Sequence, residues 1–273
     1  MKITHQEVLA DTQGTRLFKI VVQAPHIAQK AQPGQFVVAM VSEKGERIPL
    51  TVVETTNDEV TLIVQELGLS TKLLGKLKAG DSLYALTGPL GHATEIKNYG
   101  KVVMVAGGVG IAEIYPVAKK LKEAGNYCVI IIGARTKELL FLEKELQAVA
   151  DEFYVTTDDG SYQRKGYTTD VLKEALEQHK FALAYIVGPI PMMKIASKVT
   201  EPFGVKTYVS LNALMLDGTG MCGGCRVTIA GKPKFTCVDG PEFDAHQTDW
   251  DELVMRNKAY LKQEKHICQL YKV

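Results

Sequence analysis

Residues 101–133 read KVVMVAGGVGIAEIYPVAKKLKEAGNYCVIIIG and carry the strongest structural pattern of the chain. An apolar run over 101–106 is followed by closely spaced glycines, by a helical segment over 111–125 and by a second apolar run over 127–133. Strands that alternate with helices are typical of parallel sheets. The stretch therefore predicts a strand, a glycine loop, a helix and a neighbouring parallel strand.

The same alternation continues toward the C-terminus. We expect helices over 139–150 and 168–178 and extended segments over 153–157 and 182–187, the last of which ends at Gly188-Pro189. Together these elements predict a doubly wound α/β domain with a parallel sheet over residues 99–209.

Residues 1–98 have a different pattern, in which short alternating runs are separated by turn residues such as those at 11–14, 32–34 and 79–81. Several short strands at this spacing predict a small antiparallel β-barrel, interrupted by one helix over 69–77. The expected strands cover 16–22, 35–41, 50–54, 60–65 and 82–86.

Residues 210–273 form a third block, with a glycine-rich, cysteine-bearing loop over 212–237 and a helical tail from about Asp249. A chain of 273 residues suggests about two domains by length alone. The change of pattern adds a small C-terminal module. Apolar residues of the tail, from Trp250 to Leu261, have helical spacing and are expected to pack on their own module or at an interface with a partner.

The composition excludes several function classes. The chain has 46% apolar and 23% charged residues, and its net charge is +1, so it has no general attraction to nucleic acid or to an anionic membrane. We find no apolar segment of membrane-spanning length and no signal-peptide pattern at Met1, and we expect a cytoplasmic protein. Reducing conditions there keep thiols free to bind metals.

Three of the five cysteines are clustered, and their spacing indicates a metal centre. Asp217, Cys222, Cys225 and Cys237 are separated by four, two and eleven residues. Plant-type 2Fe-2S loops have the spacing C-x4-C-x2-C and a distant fourth cysteine, so Asp217 occupies the position of the first thiolate. A carboxylate has the same single negative charge but is a harder ligand. The pattern predicts a 2Fe-2S cluster held by three thiolates and Asp217.

Two other interpretations of these cysteines remain open. A structural zinc site with three cysteines and one aspartate is possible, although zinc ribbons usually pair two C-x2-C knuckles. Cys268 is an alternative fourth ligand. Cys128 lies in an apolar run and is expected to be a buried core thiol.

The glycines Gly107, Gly108 and Gly110 directly follow a predicted strand and open a predicted helix. In this position glycines let a pyrophosphate approach the backbone amides and the helix N-terminus. The full G-x-G-x-x-G motif is absent, because residue 113 is Glu113, and a purely structural turn is the alternative. Gly188-Pro189 follows a later strand, where ligands of open α/β sheets gather.

The ordered motifs resemble those of the ferredoxin–NADP+ reductase superfamily. The cysteine loop is similar to that of its iron–sulfur members, the electron-transfer subunits of dihydroorotate dehydrogenase and the small subunits of NADH-dependent reduced ferredoxin:NADP+ oxidoreductases. An aspartate in place of the first cysteine is most similar to the latter group. The motifs are Arg47-Ile-Pro-Leu-Thr51, Gly68-Leu-Ser-Thr71, Gly88-Pro-Leu-Gly91, the loop at Gly107 and Gly188-Pro-Ile-Pro-Met192.

The resemblance implies that the barrel binds FAD and the α/β domain binds NAD(H). By this resemblance Arg47 holds the FAD phosphate, Pro49 and Leu50 border the flavin, and the hydroxyl of Thr51 lies near flavin N5 as the one catalytic side chain. The remaining implied contacts are Gly68, Ser70 and Thr71 with the FAD pyrophosphate, and Gly107, Gly108, Gly110, Gly188 and Pro189 with NAD(H).

The resemblance also implies an electron relay, in which a hydride passes between NAD(H) and FAD and single electrons pass between FAD and the 2Fe-2S cluster. The implied partner is a larger subunit with a second FAD, 4Fe-4S clusters and an NADP(H) site, linked indirectly to ferredoxin through electron bifurcation. The alternatives are a dihydroorotate dehydrogenase subunit and a non-catalytic zinc or redox-sensing module.

Three positions leave questions open within this resemblance. Val187 stands where relatives often have a cysteine close to the nicotinamide, and Glu113 stands where many have proline, so Glu113 is a candidate neighbour of the nicotinamide or ribose. Arg135 and Lys137 follow the second parallel strand and are candidates to meet an NADP 2′-phosphate, or else are solvated charges.

Overall fold

The structure is a computed structural model that describes residues 1–12 and 14–271. The predicted turn over 11–14 includes Gln13, which lies outside the described residues, as do the last two residues of the tail. None of the helices in the described ranges is both long enough and apolar enough to cross a membrane.

The N-terminal block consists of two antiparallel sheets that enclose one apolar core, in the strand orders β1-β2-β6-β5 and β4-β3-β7. Two seams join the sheets into a barrel. Lys2 bridges Ser82 beside β1, and Val52 and Val53, between β4 and β5, donate to Gln35 and Thr61. The elements are β1 (Ile3–Thr12), β2 (Thr15–Gln23), α1 (Pro25–Ala28), β3 (Phe36–Met40), β4 (Ile48–Thr51), β5 (Glu54–Thr55), β6 (Glu59–Gln65), α2 (Leu69–Lys76) and β7 (Ala85–Leu90).

The middle block contains the predicted doubly wound sheet. The strand that comes first in this block along the chain lies at the centre of the sheet. The strand order is β11-β10-β9-β8-β12-β13-β16, with every neighbouring pair from β11 to β13 parallel. The elements are β8 (Lys101–Gly107), α3 (Gly110–Glu123), β9 (Tyr127–Ala134), α4 (Glu143–Val149), β10 (Glu152–Thr157), β11 (Arg164–Lys165), α5 (Thr168–Gln178), β12 (Leu183–Val187), α6 (Ile190–Thr200) and β13 (Thr207–Ser210).

The winding direction reverses between β8 and β12. The chain moves outward from β8 to β9 and β10 and then crosses back to β12 on the other side of β8. Helices cover both faces of this sheet, so its central strands are buried along almost their whole length, which explains their continuous apolar runs. Such a reversal leaves a crevice at the carboxyl ends of the strands, where ligands bind.

The C-terminal block contains more regular structure than its sequence indicated. The predicted loop over 212–237 includes an antiparallel hairpin, and a short strand after it pairs antiparallel with β13 at the edge of the large sheet. The block therefore adds one strand to the middle sheet. Its elements are β14 (Arg226–Ile229), β15 (Lys232–Phe235), α7 (Thr236–Asp239), β16 (Glu242–Asp244), α8 (Trp250–Arg256) and α9 (Leu261–Leu270).

Two further expectations need correction. The sequence indicated no strand before residue 16, yet β1 spans ten residues; only Ile3 and Ala10 among them are buried, so it lacks the apolar alternation that marks a half-buried strand. The expected helix over 139–150 is split into a 3-10 turn at Lys137–Leu139 and α4. Leu142 adopts a left-handed conformation with φ of 53° directly before α4 and separates the two.

Candidate functional site

The glycines at the reversal point bring β8, β12 and the start of α3 into close contact. A Cβ atom on Gly110 would lie 2.7 Å from the Val187 carbonyl oxygen, and one on Gly107 would lie 2.5 Å from Met192 Sδ. A Cβ atom on Gly188, where φ is 154°, would lie 3.0 Å from the Gly107 carbonyl oxygen. Close packing therefore explains three of the predicted cofactor-binding glycines, because a side chain at Gly110 or Gly188 would meet backbone atoms of a neighbouring segment and one at Gly107 would displace the Met192 side chain.

Gly108 differs from these three, because a Cβ atom there would meet nothing within 4 Å. Its φ is +56°, and its amide donates to Gly133 at 3.0 Å. Pro189 immediately precedes α6, so two helices, α3 and α6, begin at the same edge of the sheet. Helix N-termini have unpaired N–H groups and a positive dipole end. This edge is therefore suited to an anionic ligand.

Strand β4 carries the residues predicted to border the flavin. Pro49 pairs with Val38 of β3, and Pro49, Leu50 and Thr51 keep part of their surface exposed in a cleft. Arg47, just before the strand, is exposed, and no carboxylate within the described residues forms a salt bridge with it. Its guanidinium group is available for a ligand.

The start of α2 lies next to this loop. The Ser70 hydroxyl donates to the carboxylate of Glu46, the residue before Arg47. The Thr71 hydroxyl accepts hydrogen bonds from the amides of Leu67 and Gly68, at 2.9 and 3.1 Å, so it caps the helix. Gly68 has an ordinary φ of −123°, and a Cβ atom there would meet nothing within 4 Å. Neither packing nor backbone strain requires glycine here, and the backbone at the start of α2 is open to a ligand.

All three blocks meet at one cleft beside β4. Its walls include Pro49 and Thr51 from the barrel, Glu113 from α3, and Ser210 and Asn212 from the end of β13 and the following loop. The Ser210 hydroxyl donates to Glu113 Oε2 at 3.2 Å. The fold thus places an acidic side chain between the strand predicted to border the flavin and the edge predicted to bind NAD(H).

Two carboxyl groups near this cleft have raised pKa values. Burial raises the pKa of Glu113 from 4.5 to about 7, against the lowering effect of hydrogen bonds from Ser210 and Thr51. Burial also raises the pKa of Glu242 on β16, which accepts hydrogen bonds from Thr94 and, at 2.6 Å, from Tyr185. The negative charge of Glu242 contributes to the shift at Glu113. Desolvation penalises the ionised form of an acid, which is why both shifts are upward.

The four predicted metal ligands lie in one loop region and form two pairs. Cys225 and Cys237 are buried, with their sulfur atoms 3.2 Å apart. Asp217 accepts the amide of Cys222 at 2.8 Å, so these two residues also lie next to each other. Within the described ranges no three such groups converge on a single-ion site. A cluster with two irons needs two ligands on each iron, and two pairs of donors would supply that number.

Backbone amides in the loop also point toward the sulfur atoms. The amide of Gly224 donates to Cys222 Sγ and the amide of Cys237 donates to Cys225 Sγ, each at 3.4 Å. Gly220 and Gly223 adopt left-handed conformations with φ of 84° and 66°. Inward-facing amides of this kind stabilise anionic sulfur, so the surroundings of these cysteines fit a cluster.

The loop is attached to the barrel and to the tail. A Cβ atom on Gly218 would lie 2.8 Å from Val38 Cγ2, and Val38 is paired with Pro49 of β4. On the other side, Arg256 donates to the Gly224 carbonyl at 3.1 Å. The loop therefore lies directly against the sheet that carries the strand predicted to border the flavin.

Arg135 and Lys137 both have contacts within the protein. The Arg135 guanidinium donates to the Thr15 hydroxyl of the barrel, and Lys137 Nζ lies 5.0 Å from the centre of the Tyr162 ring.

The two cysteines outside the loop differ in burial. Cys128 is fully buried, as expected of a core thiol, and Cys268 is half-buried on α9. In the tail, Leu253 is buried while Tyr260 and Leu261 are exposed.

Sequence reasoning did not identify several residues of the site. Ser210 and Glu242 reach it only through the pairing of β13 with β12 and β16, for which the sequence has no local signal. Asn257 also contributes, because its side chain donates to the Asn212 carbonyl at 3.0 Å and holds the first residue of the loop. The missed hairpin turns at Ala230-Gly231, with φ of 50° and 72°, and Gly231 was its signal in the sequence.

Two protein-family models match the chain. A model described as the iron-sulfur cluster binding domain of dihydroorotate dehydrogenase B matches residues 212–249, and a model described as the oxidoreductase NAD-binding domain matches residues 104–198. The first range contains all four residues of the donor pairs. The second contains the reversal point between β8 and β12.

The chain is also similar to individual proteins over most of its length. It is 48% identical over 251 residues to the dihydroorotate dehydrogenase B (NAD(+)) electron transfer subunit homolog of Thermotoga maritima, covering 91% of this chain and 89% of that protein. A chain in the structure of an NADH-dependent reduced ferredoxin-NADP oxidoreductase, described for flavin-based electron bifurcation, is 43% identical with a TM-score of 0.93, covering 100% and 98% of the two chains.

A more distant structure has the same fold. The ferredoxin-NADP+ reductase of Plasmodium falciparum is 16% identical with a TM-score of 0.61, over 76% of this chain and 94% of that one. The barrel followed by the doubly wound sheet is thus the architecture of that superfamily, with an iron–sulfur domain added at the C-terminus. The chain belongs to the ferredoxin–NADP+ reductase superfamily, in the family of dihydroorotate dehydrogenase B electron-transfer subunits and their homologues, as an electron-transfer subunit with NAD-binding and iron–sulfur-binding domains.

Proposed function

We propose that the chain transfers electrons between NAD(H), FAD and a 2Fe-2S cluster, as the small subunit of an electron-bifurcating NADH-dependent reduced ferredoxin:NADP+ oxidoreductase. The observation that carries this proposal is the position of the cysteine loop, whose Gly218 packs on Val38 beside β4. The full-length similarity to a chain of such an enzyme supports it. In this division, residues 1–98 bind FAD, 99–209 bind NAD(H) and 210–273 hold the cluster.

The chain's own residues bind and orient the cofactors. Arg47, which is exposed and has no salt bridge with any described residue, binds the FAD phosphate, and the α2 start at Gly68 receives the pyrophosphate. Pro49 and Leu50 form the apolar border of the flavin. The Thr51 hydroxyl lies at the edge of the cleft, where it can hydrogen-bond to the ring. When bound, the flavin and the cluster would together supply the conversion of a two-electron hydride transfer into single-electron steps.

On the nicotinamide side, Gly107, Gly110 and Gly188 allow β8, β12 and the helices that follow them to pack closely. Gly108 and Pro189 lead into the N-termini of two of these helices at the edge of the sheet. NAD(H) is the proposed dinucleotide rather than NADP(H). Arg135 and Lys137, the cations at the end of β9, are already engaged with Thr15 and Tyr162. Each would have to leave its partner before it met a 2′-phosphate.

Asp217 and Cys222 are proposed to hold one iron, and Cys225 and Cys237 the other. Purification after iron-replete expression tests this: we expect a yellow-brown protein with one FAD and about two irons per chain, as the cluster type requires. The variant Cys225→Ala should lose its iron, whereas the matched variant Cys268→Ala should keep it. A colourless protein that contains zinc would contradict the proposal, and iron loss in the Cys268 variant would identify a different fourth ligand.

The two candidate functions differ in the partner subunit. A larger subunit with a second FAD, 4Fe-4S clusters and an NADP(H) site is the proposed partner, with ferredoxin reached through it. An electron-transfer subunit of dihydroorotate dehydrogenase is the alternative, favoured by the name of the Thermotoga maritima relative. The purified complex decides between them: NADP+ reduction by NADH with reduced ferredoxin supports the first, and NAD+ reduction by dihydroorotate supports the second.

A further inference from the structure

Glu113 is an acidic side chain in the cleft that the proposed relay does not use. It stands in the first turn of α3, keeps part of its surface open to the cleft, and accepts a hydrogen bond from Ser210. Thr51, proposed to lie near flavin N5, lines the same cleft. Glu113 therefore shares this cleft with the position where the reactive end of the flavin is expected.

The surroundings of Glu113 contain no compensating cation. The titratable groups that face it are Glu242 on β16 and Tyr185 on β12, and these two are hydrogen-bonded to each other. Within residues 1–12 and 14–271, no lysine, arginine or histidine contributes to its titration. Burial raises the pKa of Glu113 to about 7, so its charge changes within the ordinary working range of an enzyme.

We propose that Glu113 is a titratable positioning residue of the flavin site, whose ionisation lowers the flavin midpoint potential and links flavin reduction to proton uptake. This inference rests on the proposed function, because it requires FAD to bind beside β4. A hydride carries two electrons and one proton, so its transfer adds one negative charge to the flavin. A carboxylate on the other side of Thr51 opposes that charge, and a neutral carboxylic acid does not.

The balance of the step is complete without Glu113 as a donor to the flavin. The bond to hydrogen at the nicotinamide breaks and the bond at flavin N5 forms, and both electrons move with that hydrogen. The added negative charge raises the affinity of Glu113 for a proton, which is taken up from solvent. Glu113 therefore has a higher pKa when the flavin is reduced than when it is oxidised. At pH values between these two pKa values, reduction takes up one additional proton for every two electrons.

The test is the flavin midpoint potential of the FAD-loaded full chain, measured against reference dyes from pH 6 to pH 9. In the wild type, the potential should fall with a steeper slope above about pH 7, corresponding to one extra proton per two electrons. Glu113→Gln should match the wild type near pH 6, be more positive at pH 9, and lack the steeper segment. Glu113→Asp should restore that segment.

The matched control is Glu123→Gln, the same change at the exposed end of α3, where Glu123 pairs with Lys120. It should follow the wild type at every pH. A wild-type curve without the steeper segment would overturn the proposal even if Glu113→Gln failed to fold. A constant difference in midpoint potential between the wild type and Glu113→Gln at every pH would also overturn the proposal, because it would mean that Glu113 has only a structural role. Failure of the proposed FAD site, on which the inference rests, is separate, since the wild type would then bind no flavin.

Discussion

Replacing Gly110 by alanine should destabilise the reversal point of the sheet. The added methyl group would lie 2.7 Å from the Val187 carbonyl oxygen, 2.9 Å from its carbonyl carbon and 3.0 Å from Gly188 Cα. These are backbone atoms at the end of a buried strand, so they cannot rotate away as a flexible side chain would. Overpacking by one methyl group costs about 1–3 kcal/mol.

Part of that cost is recovered, because alanine is favoured over glycine in a helix by up to about 1 kcal/mol. A net loss of up to about 3 kcal/mol in the free energy of unfolding remains. For a chain of this size, each kcal/mol lowers Tm by roughly 2–4 °C. We therefore expect Gly110→Ala to melt up to about 12 °C below the wild type, and NADH binding to weaken because the start of α3 is displaced.

Thermal unfolding followed by circular dichroism measures the first effect, and titration with NADH measures the second. The matched control is Gly68→Ala, which adds the same methyl group where no atom lies within 4 Å and φ is −123°. Its stability should stay within about 0.5 kcal/mol of the wild type, while its FAD binding weakens. A Gly110→Ala variant with wild-type melting and NADH affinity would refute close packing as the reason for this glycine.

Three further predictions follow from single contacts. Arg47→Ala should weaken FAD binding about tenfold to a hundredfold, since charge-assisted hydrogen bonds contribute about 1.5–3 kcal/mol, and should leave Tm unchanged; flavin fluorescence titration checks it. Arg256→Ala removes the 3.1 Å hydrogen bond to the Gly224 carbonyl and should speed iron loss to a chelator several-fold, with unchanged release contradicting this anchoring role. Unfolding titrations at pH 5 and pH 8 test Glu113: its pKa is raised to about 7 in the folded chain, so stability falls as pH rises from about 4.5 to about 7, by at most about 3 kcal/mol, and Glu113→Gln should lack this fall.

Most of the middle domain was predictable because its signals are local. The strand, glycine loop and helix of residues 101–123 are adjacent in the chain, and burial on both faces of the sheet makes the strands continuously apolar. The helix Thr168–Gln178 was predicted to the residue. The spacing of Cys222 and Cys225 is likewise a local property, since it depends on one tight turn.

The missed elements lack such signals. Strand β1 is largely exposed, so its side chains have no reason to alternate, and its pairing with β2 defines it as a strand. Strand β16 has three residues and is defined only by its antiparallel pairing with β13. In both cases the hydrogen bonds come from a neighbouring strand, and no pattern within the segment itself predicts them.

The sequence by itself determined the order of the blocks, the glycine positions and the spacing of the predicted soft ligands, because each depends on residues a few positions apart. Only the tertiary structure decided the cleft, in which Glu113 and Ser210 meet although 97 positions separate them. It also decided that Gly110 is required by packing and that Gly68 is open. The physical reason is that burial, and with it the pKa of Glu113, depends on every segment packed around a group.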